Sequence, residues 1–317
     1  MFDPQKFIEE KILEIKETIK DNAIIGVSGG VDSTTAAVLV NRAIGKNLKC
    51  ILVDTGYMRK NEVEDNEKML KKLGLNILII NAQERFFAKL KNIIEPEEKR
   101  KIIGETFIRV FEEEAQKEKA KYLIQGTIAP DWIESGGGLR DVIKSHHNVG
   151  GLPEKMDFTI VEPLRDLYKD EVRVLGEKLG LSKEIYERQP FPGPGLAIRI
   201  VGEATQERAK IAREACAIVE EEIEKAVDRK EMTKPWQYFA VLLSSKAVGV
   251  HGDVRAYQHI VVVRSVESLD GMSAAYSKIP HQVLEKISVR ITNTLKDDVS
   301  RVVFDITNKP PGTIEYE

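Results

Sequence analysis

Between residues 22 and 126, four short apolar runs alternate with longer amphipathic stretches. The runs are 22–28 (NAIIGVS), 48–54 (LKCILVD), 76–81 (NILIIN) and 121–126 (KYLIQG); helical patterning fills 32–45, 61–73 and the stretch leading to about residue 119. Strands this short and this apolar are buried on both faces, and the helical segments between them are the crossovers that parallel strands require. The pattern predicts an α/β fold: a parallel twisted sheet with helices on both faces. Ligands of such sheets bind beyond the carboxyl ends of the strands. Functional weight therefore falls on Ser28 to Ser33, on Asp54-Thr55-Gly56 and on Gln125-Gly126-Thr127.

The rhythm breaks at 128–153 (IAPDWIESGGGLRDVIKSHHNVGGLP), a glycine-rich stretch with two adjacent histidines. An irregular segment of that length inside a compact domain reads as either a functional lid or a disordered stretch. A fifth strand is expected at 157–163 and a helix at 168–180, stopping at Gly180. RQPFPGPGLAIR (188–199) then forms a rigid punctuation of prolines and glycines. This places a boundary near residue 190, dividing the chain into domains 1–189 and 190–317. Beyond it come a long charged helix (204–228), β-rich runs at 236–243, 257–266 and 300–308, and a helix at 280–296. Antiparallel strands with helices on one face make a smaller α+β domain.

The bulk properties exclude several classes. A net charge of −3 provides no global basic field for coating nucleic acid. Cys50 and Cys216 are the only cysteines in 317 residues, too few for a disulfide framework or a zinc cluster. The N-terminal stretch is a charged amphipathic helix without a signal-peptide core, and no apolar run approaches the ~20 residues that span a bilayer. The expectation is a cytoplasmic protein with no membrane partner.

The first strand empties into Ser28-Gly29-Gly30-Val31-Asp32-Ser33. Gly29 and Gly30 allow the backbone N–H groups to converge, and a helix opening near Asp32 aims its positive end at the same point. Ser28 and Ser33 add hydroxyl donors. The loop is built to hold an oxyanion, yet it lacks the lysine of a Walker loop and does not match the dinucleotide fingerprint. A tight turn with Ser28 or Asp32 as helix cap is the plainer reading of a bare SGG. The full SGGVDS at a first strand–helix junction instead resembles the PP-motif of the ATP pyrophosphatase superfamily, with its adenine nucleotide alpha hydrolase-like fold. That resemblance implies cleavage of ATP between the α and β phosphates.

Seven further segments narrow the resemblance: VDTGYMRKNE (53–62), PEEKRKIIGETF (96–107), QGTIAPDWIES (125–135), IKSHHNVGGLP (143–153), RQPFPGPGLAIR (188–199), VGVHGDVRAY (248–257) and NKPPGTIEYE (308–317). All are similar to GMP synthetases, so the resemblance covers essentially the whole chain. It implies the ATP pyrophosphatase subunit of a two-subunit enzyme: ATP with Mg²⁺ adenylates XMP on its C2 oxygen, and ammonia then displaces AMP to give GMP. No cysteine stands where a glutaminase nucleophile is expected, so ammonia is expected from a separate glutaminase subunit. The C-terminal domain is expected to form a homodimer.

The same resemblance assigns roles. Ser28, Gly29, Gly30, Val31, Asp32 and Ser33 are expected at the pyrophosphate, with Asp32 also a Mg²⁺ ligand. Val53, Asp54, Thr55 and Gly56, with Gly126 and Thr127, are expected around ATP. In the lid, Lys144, His146 and His147 are candidates for stabilising charge at the α-phosphate, and Asp131 and Glu134 are candidate positioning or metal carboxylates. Arg100, Asp253, Lys309, Ile314 and Glu315 are expected at XMP. A zinc reading of His146-His147 lacks further ligands at suitable spacing. A tRNA-modifying relative would need a basic face and further cysteines. A nucleotide sensor would have little use for the lid run, and NAD synthetase is the nearest enzymatic rival.

Overall fold

The computed structural model describes residues 2–129, 159–186, 188–269 and 271–317. The chain divides into two compact units, the first made of Met1–Asp54, Val63–Asn81 and Phe107–Arg188 and the second of Thr55–Glu62, Ala82–Thr106 and Gln189–Glu317. No helix among the described residues is long and apolar enough to cross a membrane.

In the first unit, α1 (Pro4–Thr18) starts where Asp3 accepts from the backbone N–H groups of Gln5 and Lys6 at 3.0 and 3.1 Å, with Pro4 in the first helical position. The strands are β1 (Ala23–Gly26), β2 (Leu48–Asp54), β3 (Ile77–Asn81), β4 (Tyr122–Ile124) and β5 (Thr159–Val161). They form one sheet in the order β3-β2-β1-β4-β5, with every pairing parallel. The crossovers include α2 (Val31–Ile44) and α3 (Glu62–Lys72). After β5 comes a helix at Lys169–Leu179 that ends on left-handed Gly180, as the sequence predicts. Ile25, Leu39, Leu52, Ile124 and Leu175 share one buried core, which explains why the strands carry almost no polar residues until their ends.

The second unit is built on β6 (Gln237–His251), β7 (Val254–Glu267), β8 (Ala275–Tyr276) and β9 (Val299–Asp305). β7 pairs antiparallel with β6 and β8, but parallel with β9. The sheet is thus mixed rather than purely antiparallel, because the helix His281–Thr294 returns the chain before β9 begins. The long helix Gln206–Asp228 buries Ile211, Ala215, Ile218 and Val219, and its Cys216 thiol donates to the Ala240 carbonyl of β6 at 3.2 Å. Arg290 ties the two helices together through Glu221 and Glu222, at 2.8 and 2.5 Å.

Candidate active site

β1 is flanked by β2 on one side and β4 on the other, so the chain order reverses there. That is the switch point at which an open α/β sheet leaves a crevice. Ser28, Gly29 and Gly30 occupy it, directly before α2. Gly30 holds the cap position and no side chain caps this end, which leaves the N–H groups of the first turn turned toward an incoming anion.

The loop is held from behind. Gly29 sits at φ +75°, and a Cβ there would overlap the carboxamide of Asn66, 2.6 Å from its Cγ. Asn66, on α3 and 2% exposed, donates from Nδ2 to the Ser28 carbonyl at 3.2 Å. Arg188 in turn donates to Asn66 Oδ1 at 3.0 Å. The Ser28 and Ser33 hydroxyls lie 3.3 Å apart across the turn. After β4, Gly126 passes so near the first turn of α2 that a Cβ would lie 3.1 Å from the Ser33 nitrogen. Gly29 is called for by its backbone angle, and at Gly126 the close approach of the α2 backbone favours glycine.

Asp32, in the first turn of α2, forms an ion pair with Lys169, the first residue of the helix Lys169–Leu179. Further along the same helices, a Cβ on Gly176 would lie 3.1 Å from Thr35 Oγ1, and Arg42 donates to the Leu179 carbonyl at 2.8 Å. The helices therefore run side by side in the same direction, with their N-termini together. A lysine in a first helical turn opposes the helix dipole, so Lys169 gains nothing from its own helix. Its charge is met instead by the Asp32 carboxylate at the edge of the loop. Asp32 Oδ1 is buried without a hydrogen-bond partner.

Val53 and Asp54 end β2, where they pair with Ile80 and Asn81 of β3. Thr55 and Gly56 follow within the second unit; Thr55 Oγ1 accepts from the Tyr57 N–H at 3.2 Å, and Gly56 adopts φ +79°. Val31 is buried at the start of α2, and Thr127 follows Gly126 beyond β4. Asp131, Glu134, Lys144, His146 and His147 lie outside the described residues.

In the second unit, Arg100 donates to the main-chain oxygen of Glu317, beside Ile314 and Glu315 in the C-terminal segment. The Glu315 carboxylate is taken up by the protein itself: Arg199 reaches both oxygens at 2.8 and 3.0 Å, and Gln237 adds a bond of 2.9 Å. Ile314 is buried. Lys309 bridges to Ala274 and donates from Nζ to the Gly271 carbonyl at 2.8 Å. Asp253 stands apart from it. It occupies the β6–β7 turn at φ +63°, whereas Ala274 adjoins β8, which pairs with the opposite end of β7. The 14 residues of β7 separate Asp253 from Lys309, roughly 40 Å at strand spacing.

Asn66, Lys169, Arg188 and Arg199 were not singled out by the sequence. Lys169 carried a signal: a lysine opening a helix ahead of Asp170 and Glu171 is out of place electrostatically. Asn66 carried none, because it lies within an ordinary amphipathic helix.

Comparison with known proteins agrees with this layout. The family described as NAD synthase matches residues 3–127, and the GMP synthase C terminal domain matches residues 221–316. One of the separate subunits of the glutamine-hydrolyzing GMP synthase of Pyrococcus furiosus is 60% identical over 99% of this chain and 97% of its own length. The corresponding protein of Methanopyrus kandleri is 59% identical over the full length of both. The glutamine-hydrolyzing GMP synthase of Clostridium tetani is 55% identical over 98% of this chain, which corresponds to 61% of that protein. With such identity sustained from end to end against the separate-subunit relatives, the chain belongs to the glutamine-hydrolyzing GMP synthase family as its ATP pyrophosphatase subunit.

Proposed function

We propose that this chain carries out the synthetase half of GMP formation. The C2 oxygen of XMP attacks the α-phosphorus of ATP, the bond from that phosphorus to the bridging oxygen of the β-phosphate breaks, and pyrophosphate leaves. Ammonia then adds at C2 and AMP departs with the former C2 oxygen, leaving GMP. The observation that carries the reading is the near-full-length identity of 60% and 59% with the Pyrococcus and Methanopyrus proteins.

The geometry of the first unit supports the ATP half. An uncapped helix end, two serine hydroxyls and a lysine converge where a departing pyrophosphate would need donors and positive charge. Lys169 supplies, from a distant helix, the charge that the loop's own sequence omits. Asp32 fits Mg²⁺ because its Oδ1 is a buried carboxylate oxygen with no partner. Among the described residues no cluster of three or more acidic, His or Cys groups forms a cage, so phosphate and water oxygens would complete the coordination. Bound there, Mg²⁺ would neutralise phosphate charge. Lys144, His146 and His147 are assigned to the α-phosphate, and Asp131 and Glu134 to positioning, from the sequence alone.

Arg100, Lys309, Ile314 and Glu315 are assigned to XMP. Asp253 is too far along β7 to share a nucleotide with Lys309 of the same chain, so in this reading it serves a second copy in a homodimer. Ammonia comes from a separate glutaminase subunit in the cytoplasm. The test is to incubate the chain alone with XMP, ATP, Mg²⁺ and ammonium, then separate the nucleotides. GMP, AMP and pyrophosphate are expected in equal amounts; ADP and phosphate would refute the reading.

A further inference from the structure

Among the described residues, three cationic side chains are completely buried: Lys99, Arg199 and Arg264. They come from a helix, a 3-10 turn and β7, yet each grips the same segment, residues 313–317. Arg264 donates to the Thr313 carbonyl at 3.0 Å. Arg199 holds the Glu315 carboxylate. Lys99 pairs with the Glu317 carboxylate, which is 5% exposed and also accepts from the Gly202 N–H at 2.8 Å. The grip falls on every second residue, the period of an extended chain.

Burying three charges is costly, and apolar side chains of similar size would hold a segment down at no such penalty. What charge provides is register: Lys99 and Arg199 each meet one carboxylate of the segment, Glu317 and Glu315, and a slip of one residue would take both carboxylates away, whereas Arg264 keeps Asp305 and the Thr307 carbonyl. The neighbouring Arg100, which follows Lys99 on the same helix, is fixed by the main-chain oxygen of Glu317.

We propose that the buried Lys99–Glu317 pair is a positioning device for XMP. It sets the register of residues 313–317 and the aim of Arg100, so that the C-terminal segment and Arg100 are ordered before the nucleotide arrives. Lys99 and Glu317 do not themselves touch substrate. The proposal rests on the XMP reading above and adds to it the residues that order the site.

The test compares wild type with Glu317→Ala and with the apolar replacement Lys99→Met/Glu317→Leu, following the KM for XMP, the KM for ATP, kcat and thermal unfolding. Glu317→Ala is expected to raise the XMP KM at least tenfold, leaving the ATP KM within twofold and kcat at saturating XMP within threefold. The double variant removes the stranded charge, so it should unfold near the wild-type temperature while its XMP KM stays at least fivefold raised. A folded Glu317→Ala, or a folded double variant should the single one not fold, with a wild-type XMP KM would overturn the proposal alone. A wild-type chain that neither binds XMP nor makes GMP would overturn the reading beneath it as well.

Discussion

Asp32 and Lys169 are 137 positions apart in the chain and form an ion pair at the mouth of the phosphate loop. The pair joins the first turns of two parallel helices, and the Lys169 side chain is still 44% exposed. Lys169→Ala is expected to weaken pyrophosphate binding at least tenfold with the unfolding temperature little changed, because a half-exposed pair contributes little to stability. Lys169→Arg should recover part of the affinity. Calorimetric titration with pyrophosphate and Mg²⁺ checks this; equal affinity in the alanine variant would remove Lys169 from the phosphate site.

Gly29→Ala tests how the loop is shaped. The substitution costs about 1–3 kcal/mol for the left-handed backbone, and its methyl group also meets the Asn66 carboxamide. Combining it with Asn66→Ala should relieve the collision but not the backbone strain. Denaturation of the two single variants and the double variant is therefore expected to be non-additive, with the double variant more stable than the sum predicts. Strict additivity would contradict the contact.

The cysteines are predicted to be silent. Burial pushes the Cys50 thiol up to about 12, and burial raises Cys216 also, against the opposing pull of Arg199. Neither should react with a thiol reagent at pH 8 until the protein is unfolded. The pH dependence follows from the same shift. Above its ordinary value of 9.0, Cys50 ionises in the unfolded chain but stays protonated in the folded one. Its contribution is thus complete below pH 9 and lost as pH rises toward 12. Relative to Cys50→Ala, wild type should lose about 1.4 kcal/mol per pH unit in that window. Denaturant titrations at pH 8 and pH 10.5 measure the difference.

The parallel sheet and the glycine turn that follows β1 were legible because local patterns fix them. Apolar runs bounded by turn residues placed β1, β2 and β3 within a few residues of their observed ends. Loop glycines next to a strand and a helix announced a close approach. The parallel pairing of β9 with β7 was not legible, since a β-rich run does not show the direction of its partner. Asn66 and Arg188 also escaped notice. They act on Ser28 and Gly29 only through contacts across 38 positions and more, which no spacing rule can express. The sequence marks Glu315 only through the resemblance, and its partner Arg199 lies 116 positions earlier among glycines and prolines.

In GMP formation by this route the C2 oxygen of XMP becomes an oxygen of AMP. XMP labelled with ¹⁸O at C2, incubated with ATP, Mg²⁺, ammonium and this chain, measures it directly by mass spectrometry of the products. One ¹⁸O atom per AMP, in its phosphate, and none in pyrophosphate is the predicted result. Unlabelled AMP beside labelled pyrophosphate, or label released to water with ADP formed, would contradict the account.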